Sequence, residues 1–270
     1  MARLRDKVQN ALDEARLLIL GAQVLLGFEY RSVFENGFER LPAHSRYLKL
    51  VGLTSLLVVL ALLVWPGAYH RVVSRGMDSD ELHQFTSRVM EVALLPFSIA
   101  LGLDLFVAAE RVVGTRAGIA VGLFASATAL ICWYGVEAFE RGRHKERAAM
   151  KDEGETHRPR TKLKDKIQHV LTETRVVLPG AQALLGFQLV TILMDGFEKL
   201  TTVAKYVHLI SLCLIAVSII ILMTPAAYHR IVEREKRLNT FTVLPAARFW
   251  QRWCRWRPQC AATSLWSFGW

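Results

Sequence analysis

Cysteine is scarce in this chain, and the motifs of the common enzyme classes are absent from it. Four cysteines are scattered over 270 residues without a CxxC pair, which argues against both a disulfide framework and a zinc site. The sequence contains no phosphate-binding GxxxxGK[ST] loop, no HExxH, no GxSxG and no GxGxxG motif. We therefore expect a protein that is not an enzyme and that holds neither a metal ion nor a cofactor.

What the chain has instead is long apolar runs separated by basic segments. It is 52% hydrophobic and yet carries 34 Lys and Arg residues, with a net charge of +10. Four runs, 47–69, 89–113, 115–139 and 206–228, exceed the ~20 residues that cross a bilayer, and two weaker runs cover 17–34 and 176–194. These runs predict an all-α, polytopic transmembrane bundle. Membrane orientation then explains the positive charge better than nucleic-acid binding does.

The sequence also repeats itself. Residues 5–73 and 164–232 align without a gap at a spacing of 159 residues and share about 28 of 69 positions. The pattern predicts a first four-span module over 1–140, a charged linker over 141–163 and a second module over 164–241. Basic residues collect at the N-terminus, in the central loop and in the linker, which favours a cytoplasmic location for all three. An even number of spans makes the two repeats parallel, related by an axis along the membrane normal.

The repeat pattern ends at Phe241, and residues 242–270 form an aberrant tail rich in Trp and Arg. One interpretation is an interfacial anchor, because Trp and Arg favour lipid headgroups. The other is a frameshift near Phe241, since permitted codons read one base away give segments that resemble residues 83–107 of the first repeat. In the second interpretation the second module is truncated, and two of its four spans are lost.

Asp104 is the main candidate for a functional residue, because an ionisable group within an apolar span is costly and suggests an ion or proton site. The alternative is that it extends to the outer interface. Gln23 and Gln182 are equivalent polar residues that either line the same pathway or form interhelical hydrogen bonds. Glu29 and Arg31, which the second repeat lacks, are expected at the outer interface.

Small residues predict close helix packing, and aromatic and basic residues predict interface anchors. Helix packing is expected at Gly27, Gly186, Gly118, Gly122 and Ser126, which lie beside polar or small residues at helical spacing. The anchors expected at the cytoplasmic interface are Tyr69, His70 and Arg71 with their equivalents Tyr228, His229 and Arg230, in each case after a proline that is expected to end the helix. The two histidines could also titrate near neutral pH.

Three paired segments carry a resemblance to a known family. They are ETRVVLPGAQALLGF (residues 173–187), DGFE (195–198) and PAAYHR (225–230). Through them the chain resembles a bacterial domain-of-unknown-function family of small, four-span integral membrane proteins, over residues 5–139 and again over 164–241. The resemblance implies a membrane location and no established activity, although some members carry a sodium:proton antiporter label.

Together these patterns predict a multi-pass protein of the bacterial cytoplasmic membrane with its N-terminus inside. The leading hypothesis for its function is a non-enzymatic structural or interaction module. The alternative is a cation or proton transporter that uses Asp104 with help from Gln23 and Gln182. The expected partners are the lipid bilayer and a second module, either of another chain or of the same one.

Overall fold

The chain folds into helices. A computed structural model describes the backbone of residues 2–72, 80–135 and 160–238, and the side chains of residues 8–9, 11–72, 81–135 and 177–224. The helices are α1 (Ala2–Ser32), α2 (Asn36–Glu39), α3 (Ala43–Val72), α4 (Asp80–Val112), α5 (Thr115–Leu130, continued by a π-helical turn at Ile131–Gly135), α6 (Arg160–Leu193), α7 (Asp195–Glu198) and α8 (Thr202–Leu238). These ranges contain no strand, so the predicted all-α class is confirmed.

Residues 1–232 form one compact unit, which contains every contact discussed below. Of the second unit, residues 233–270, the structure describes only the first six, which complete α8. The tail over 242–270 and the proposed frameshift near Phe241 lie outside the described residues, as does most of the linker predicted over 141–163. Helix α6 begins at Arg160, within the last residues of that linker range.

Four of the described helical segments are long and apolar enough to cross a membrane: Ala43–Val72, Glu81–Val112, Thr115–Gly135 and Thr202–Thr224. The apolar part of α6, Val177–Leu193, is shorter. The prolines do not end their helices as predicted, because α3 continues through Pro66 to Val72. A long helix tolerates an internal proline where neighbouring groups satisfy the freed backbone carbonyl.

Helix α1 does not reach the same apolarity, although it packs beside the spanning helices over much of their depth. Leu18 and Ala22 line a small cavity with Val59 and Leu63 of α3, and Glu29 lies beside Lys49. The two helices therefore run antiparallel over 14 residues of α3, or about 21 Å at ~1.5 Å per residue. That α1 spans the membrane remains a prediction from sequence, which this packing supports.

Helix α4 is the centre of the first repeat. Of its apolar window 72% is buried, against 28% for α3 and for the α5 segment. It packs between α3 and α5 and also contacts α1. Small residues along it, among them Ala100, Gly102 and Ala109, let the neighbouring helices approach closely. Polar residues on α4 are consequently held inside the bundle.

A two-residue connection joins α4 to α5 and sets their close packing. It contains Gly114, whose φ of 120° lies in the region that favours glycine. On α5, a Cβ at Gly122 would lie 2.7 Å from the carbonyl oxygen of Gly102, and one at Gly118 would lie 2.9 Å from that of Phe106. Ser126 donates to the backbone oxygen of Ser98 at 3.1 Å. The structure thus places this small-residue stripe against α4.

The first helices of the two repeats, α1 and α6, pack against each other. Phe28 meets Phe187, its own repeat equivalent, in an edge-to-face contact with ring centroids 6.3 Å apart. Asn36 donates to Asp195, again its equivalent, at 2.6 Å. The connections 33–42, 113–114 and 194–201 all lie at this end of the bundle, which we call the short-loop end.

Candidate functional site

Three charged side chains meet inside the first repeat, where α1, α3 and α4 pack together. Lys49 extends from α3 between two carboxylates, with its Nζ 2.5 Å from Oε2 of Glu29 on α1 and 2.9 Å from Oδ1 of Asp104 on α4. The exposed fractions of the three side chains are 2% for Lys49, 0% for Glu29 and 2% for Asp104. We call these three residues the buried triad.

Local sequence explains how so polar a cluster fits into the bundle. Lys49 lies on an inward face of α3 that begins at Ser45 and continues with Gly52, Leu56 and Val59 at helical spacing. Gly52 lies beside the carboxylate of Asp104, where a Cβ would make an ordinary van der Waals contact with Oδ1 at 3.5 Å. The four-carbon stem of lysine allows the ammonium group to reach both neighbouring helices from one position.

The charges of the buried triad do not balance when all three groups are ionised. Two carboxylates and one ammonium carry a net charge of −1, and Oε1 of Glu29 has no hydrogen-bond partner. An uncompensated charge away from water is strongly unfavourable, so one bound proton makes the neutral, better accommodated state. The ammonium already occupies the space between the acids. Among the residues the structure describes, no group of three or more His, Cys, Asp or Glu side chains could hold a metal ion.

A second polar cluster lies nearer the short-loop end, around Glu110 of α4. Its side chain is 6% exposed, and Oε1 lies 2.8 Å from Nε2 of His44 and accepts a hydrogen bond from Thr115 at 2.7 Å. Ser45 donates to the other carboxylate oxygen. His44 is 53% exposed, so this short-loop cluster of His44, Ser45, Glu110 and Thr115 connects the surface with a buried carboxylate.

Ion pairs join the two repeats at the same end. Arg40 donates to Glu198 at 2.8 Å and lies 3.2 Å from Asp195, while Arg111 donates to the other carboxylate oxygen of Glu198 at 2.8 Å. The hydrogen bond to Glu198 raises the pKa of the Arg40 guanidinium above its ordinary value. About half of each acidic side chain is exposed, so these pairs position the connections more than they stabilise them.

The structure corrects two expectations about charged residues. Asp104 does not extend to the outer interface but is buried against Lys49. Glu29, expected at that interface, is buried as well, whereas Arg31 pairs with Glu35 and is largely exposed. Lys49, to which the sequence analysis gave no role, lies about 9 Å inside α3, six residues from its start at ~1.5 Å per residue. In each case a partner on another helix makes burial possible.

The two glutamines are not brought together with Asp104. Gln23 is exposed on the surface of α1 and lies apart from Asp104 within this chain, so its place in a pathway stays a prediction. Gln182 is 1% exposed and lies against Gly21, where its Oε1 occupies the position a Cβ would take. That oxygen has no hydrogen-bond partner. Gln182 also lines the small cavity beside Leu18 and Ala22, seven or more residues along α1 from Glu29.

The equivalent glycines Gly27 and Gly186 have different surroundings. A Cβ at Gly186 would lie 2.8 Å from two side-chain carbons of Phe28, so this glycine takes part in the contact between α1 and α6. Gly27 is exposed and has no atom within 4 Å of such a Cβ, so it does not take part in helix packing within this chain. The face of α6 that carries Gly186 packs against α1, whereas the face of α1 that carries Gly27 does not pack against α6.

We expect Gly186→Ala to destabilise the protein by about 1 kcal/mol, because the added methyl group must displace the Phe28 ring. Gly27→Ala is the matched control and should be neutral or slightly stabilising, since alanine favours helix more than glycine does. Thermal unfolding of the purified variants in detergent, followed by circular dichroism, measures both. Equal effects at the two positions would contradict the asymmetric packing.

The predicted anchors are described only in the first repeat. Tyr69 packs against Phe85 with ring centroids 5.0 Å apart, Arg71 is exposed, and Nδ1 of His70 is buried without a hydrogen-bond partner. Tyr228, His229 and Arg230 lie within α8, but their side chains are outside the described residues. Nothing in the described surroundings of His70 brings it into the buried triad.

Sequence reasoning missed Glu29 and Lys49 as a pair, although a signal was present. Their repeat equivalents are Gln188 and His208, so both charges change together between the copies. In the second repeat Nε2 of His208 lies 3.1 Å from the backbone oxygen of Gln188, which keeps the contact between these helices without the charges. A joint change of this kind indicates two residues that interact.

Comparison with known proteins gives one match. The model of a family described as a family of unknown function (DUF6328) matches residues 1–137 and 155–252. Together these segments cover most of the chain, and two separate matches are what a duplicated domain produces. No curated protein and no solved structure matches.

Proposed function

The chain belongs to the DUF6328 family of unknown function, and we propose that it is a non-enzymatic membrane protein that moves protons. In this proposal the buried triad binds and releases one proton as part of transport across the bacterial cytoplasmic membrane. The observation that carries the proposal is the pairing of one lysine with two carboxylates at 2.5 and 2.9 Å, all three buried among apolar helices.

The charge balance supports a proton over a metal cation. Binding one proton takes the buried triad from a net charge of −1 to neutral, while the lysine stays in place. A metal cation would have to displace the ammonium group, which already contacts both acids. Ionisable groups within membrane helices are costly and commonly mark ion or proton pathways. The alternation between two charge states is the property a proton carrier requires.

A purely structural role is the second candidate, and one observation favours it. Lys49 joins α1 and α4 to α3 through a single side chain, an arrangement that can fix the register of three helices. Buried ionic groups sometimes specify one packing arrangement without a further role. This candidate predicts loss of stability in triad variants and no proton movement by the wild-type protein.

Proteoliposomes containing a pH-sensitive dye separate the two candidates. The full chain is reconstituted and exposed in turn to an inward Na⁺ gradient, an inward K⁺ gradient and a K⁺ diffusion potential set with valinomycin. We expect at least one of these conditions to change the internal pH with wild-type protein and with Glu39→Gln, a matched control at an exposed acid. Asp104→Asn should behave like protein-free vesicles. Wild-type vesicles that match protein-free vesicles under all three conditions would overturn the proposal.

The proposed setting of this activity follows from the repeats and from the distribution of charge. We infer that the N-terminus is cytoplasmic, because basic residues collect there and in the linker. We also infer that the two modules pair within one chain, which the contacts of Phe28 with Phe187 and Asn36 with Asp195 support. Nucleic acid has no place in this proposal, since membrane orientation accounts for the basic residues.

A further inference from the structure

The short-loop cluster lies between the exposed end of the bundle and the buried triad. His44 at 53% exposure contacts solvent, and Glu110 at 6% does not. The hydrogen bond of 2.8 Å between them is therefore a connection from water into the protein. Glu110 is joined in turn to the hydroxyl of Ser45, which points the connection toward the next turn of α3.

That next turn carries Lys49. Ser45 and Lys49 are four residues apart on α3, both are buried, and residues at this spacing are neighbours on one helix face, about 6 Å apart. One bridging water molecule spans such a distance. His44, Glu110 and Ser45 are thus joined by hydrogen bonds, and Lys49 of the buried triad follows one helical turn farther along the same face of α3.

Toward the opposite end of the bundle the surroundings of the buried triad are mostly apolar. On α3 the buried face continues with Gly52, Leu56 and Val59. On α4 it continues with Leu101, Ser98 and Phe97, and the Ser98 hydroxyl donates to the backbone oxygen of Leu95 in its own helix. The hydrogen-bonded cluster that reaches an exposed side chain, His44, therefore lies on the short-loop side of the buried triad.

We propose that Glu110, with His44 as its exposed partner, carries protons between the short-loop end and the buried triad. This inference rests on the proposed function. The His44 imidazolium gives its proton to the Glu110 carboxylate, and the resulting acid passes a proton to the Ser45 oxygen as that hydroxyl releases its own toward Lys49. Lys49 gives one proton to Glu29 or Asp104 and regains one from this series. His44 regains a proton from water, so His44, Glu110, Ser45 and Lys49 return to their starting states, and one proton has moved from water to the carboxylate of Glu29 or Asp104.

Two measurements on the full chain test this relay, one of rate and one of equilibrium. The rate is proton flux into proteoliposomes under the gradient that drives the wild-type protein. The equilibrium is protonation of the buried triad, measured in detergent as the pH dependence of the infrared band of protonated carboxylic acids. The part of this band that disappears in Asp104→Asn is assigned to the buried triad. General acid–base groups typically accelerate proton transfer by ~10²–10⁴-fold, so we expect Glu110→Gln to slow the flux by at least about tenfold. The titration of the triad band should stay in place.

Conservative variants separate a relay from a structural role. Glu110→Asp keeps a carboxylic acid and should recover much of the flux, and His44→Gln should slow it less than Glu110→Gln does. Unchanged flux in Glu110→Gln would overturn the relay and leave the proposed function standing. Loss of the triad titration in Glu110→Gln would overturn it as well, because Glu110 would then be structural. Wild-type protein with neither flux nor a titrating triad band would overturn the proposed function itself.

Discussion

Replacing Lys49 by methionine is expected to lower the free energy of unfolding by about 3–5 kcal/mol, the usual cost of removing one partner from a buried ion pair. Methionine has nearly the same length, so the packing of the stem is kept and only the charge is lost. Glu29 and Asp104 would then remain buried beside each other without a cation. The penalty comes from those two carboxylates more than from lost attraction.

Reversible unfolding in mixed detergent micelles, followed by circular dichroism, measures this change. Lys199→Met is the matched control, because Lys199 is exposed and such substitutions usually change stability by about 0.5 kcal/mol or less. Adding Glu29→Gln and Asp104→Asn to Lys49→Met should recover most of the loss, since the uncompensated charges are then gone. A Lys49→Met protein as stable as the control would contradict the charge assignment of the buried triad.

Gly37→Ala is expected to destabilise the protein by about 2 kcal/mol or more, at the upper part of the range for overpacking. A Cβ at this position would overlap the backbone oxygen of Leu193 and lie 2.8 Å from its carbonyl carbon. Backbone atoms at the end of α6 cannot rotate away as a side chain can. The substitution therefore has to separate α2 from α6, and with them the two repeats.

The repeat provides the control for this prediction. Gly196 is the equivalent of Gly37, and a Cβ there would meet no atom within 4 Å. Because alanine loses less backbone entropy on folding than glycine, Gly196→Ala should be neutral or stabilising by up to about 1 kcal/mol. Unfolding of the two variants under identical detergent conditions compares them directly. A larger loss at Gly196 than at Gly37 would show that the contact with Leu193 is unimportant.

Sequence alone predicted the helical class and the apolar segments because hydrophobicity and length determine them residue by residue. It did not predict that Lys49 is part of a buried charged cluster. Lys49 lies near the start of the apolar run 47–69 and close to Arg46, where a basic residue is ordinary. Only the partners on α1 and α4 make a buried lysine acceptable, and such partners are invisible to a pattern read along one segment.

The candidate site was predicted only in part, again because a pattern read along one segment does not show contacts between helices. Asp104 stands out in sequence because its neighbours on α4 are apolar. Glu29 does not stand out, because it lies near the end of α1, beside Tyr30 and Arg31, where charges are ordinary. Gln23 resembles Gln182 in sequence, but a helix exposes one face and buries another, and repeat equivalence does not settle which face is used.

Some residues contact their own equivalents in the other repeat, and this affects how the sequences of the two halves can diverge. In a pair of identical subunits, one substitution at such a position alters both sides of the contact at once. Here each side is encoded separately, so the sides can diverge and become complementary. Asn36 and Asp195 illustrate this freedom, because an amide donor faces a carboxylate at 2.6 Å, whereas two aspartates at these positions would repel. A single chain that carries both halves thus allows one half to keep a charged site that the other half lacks.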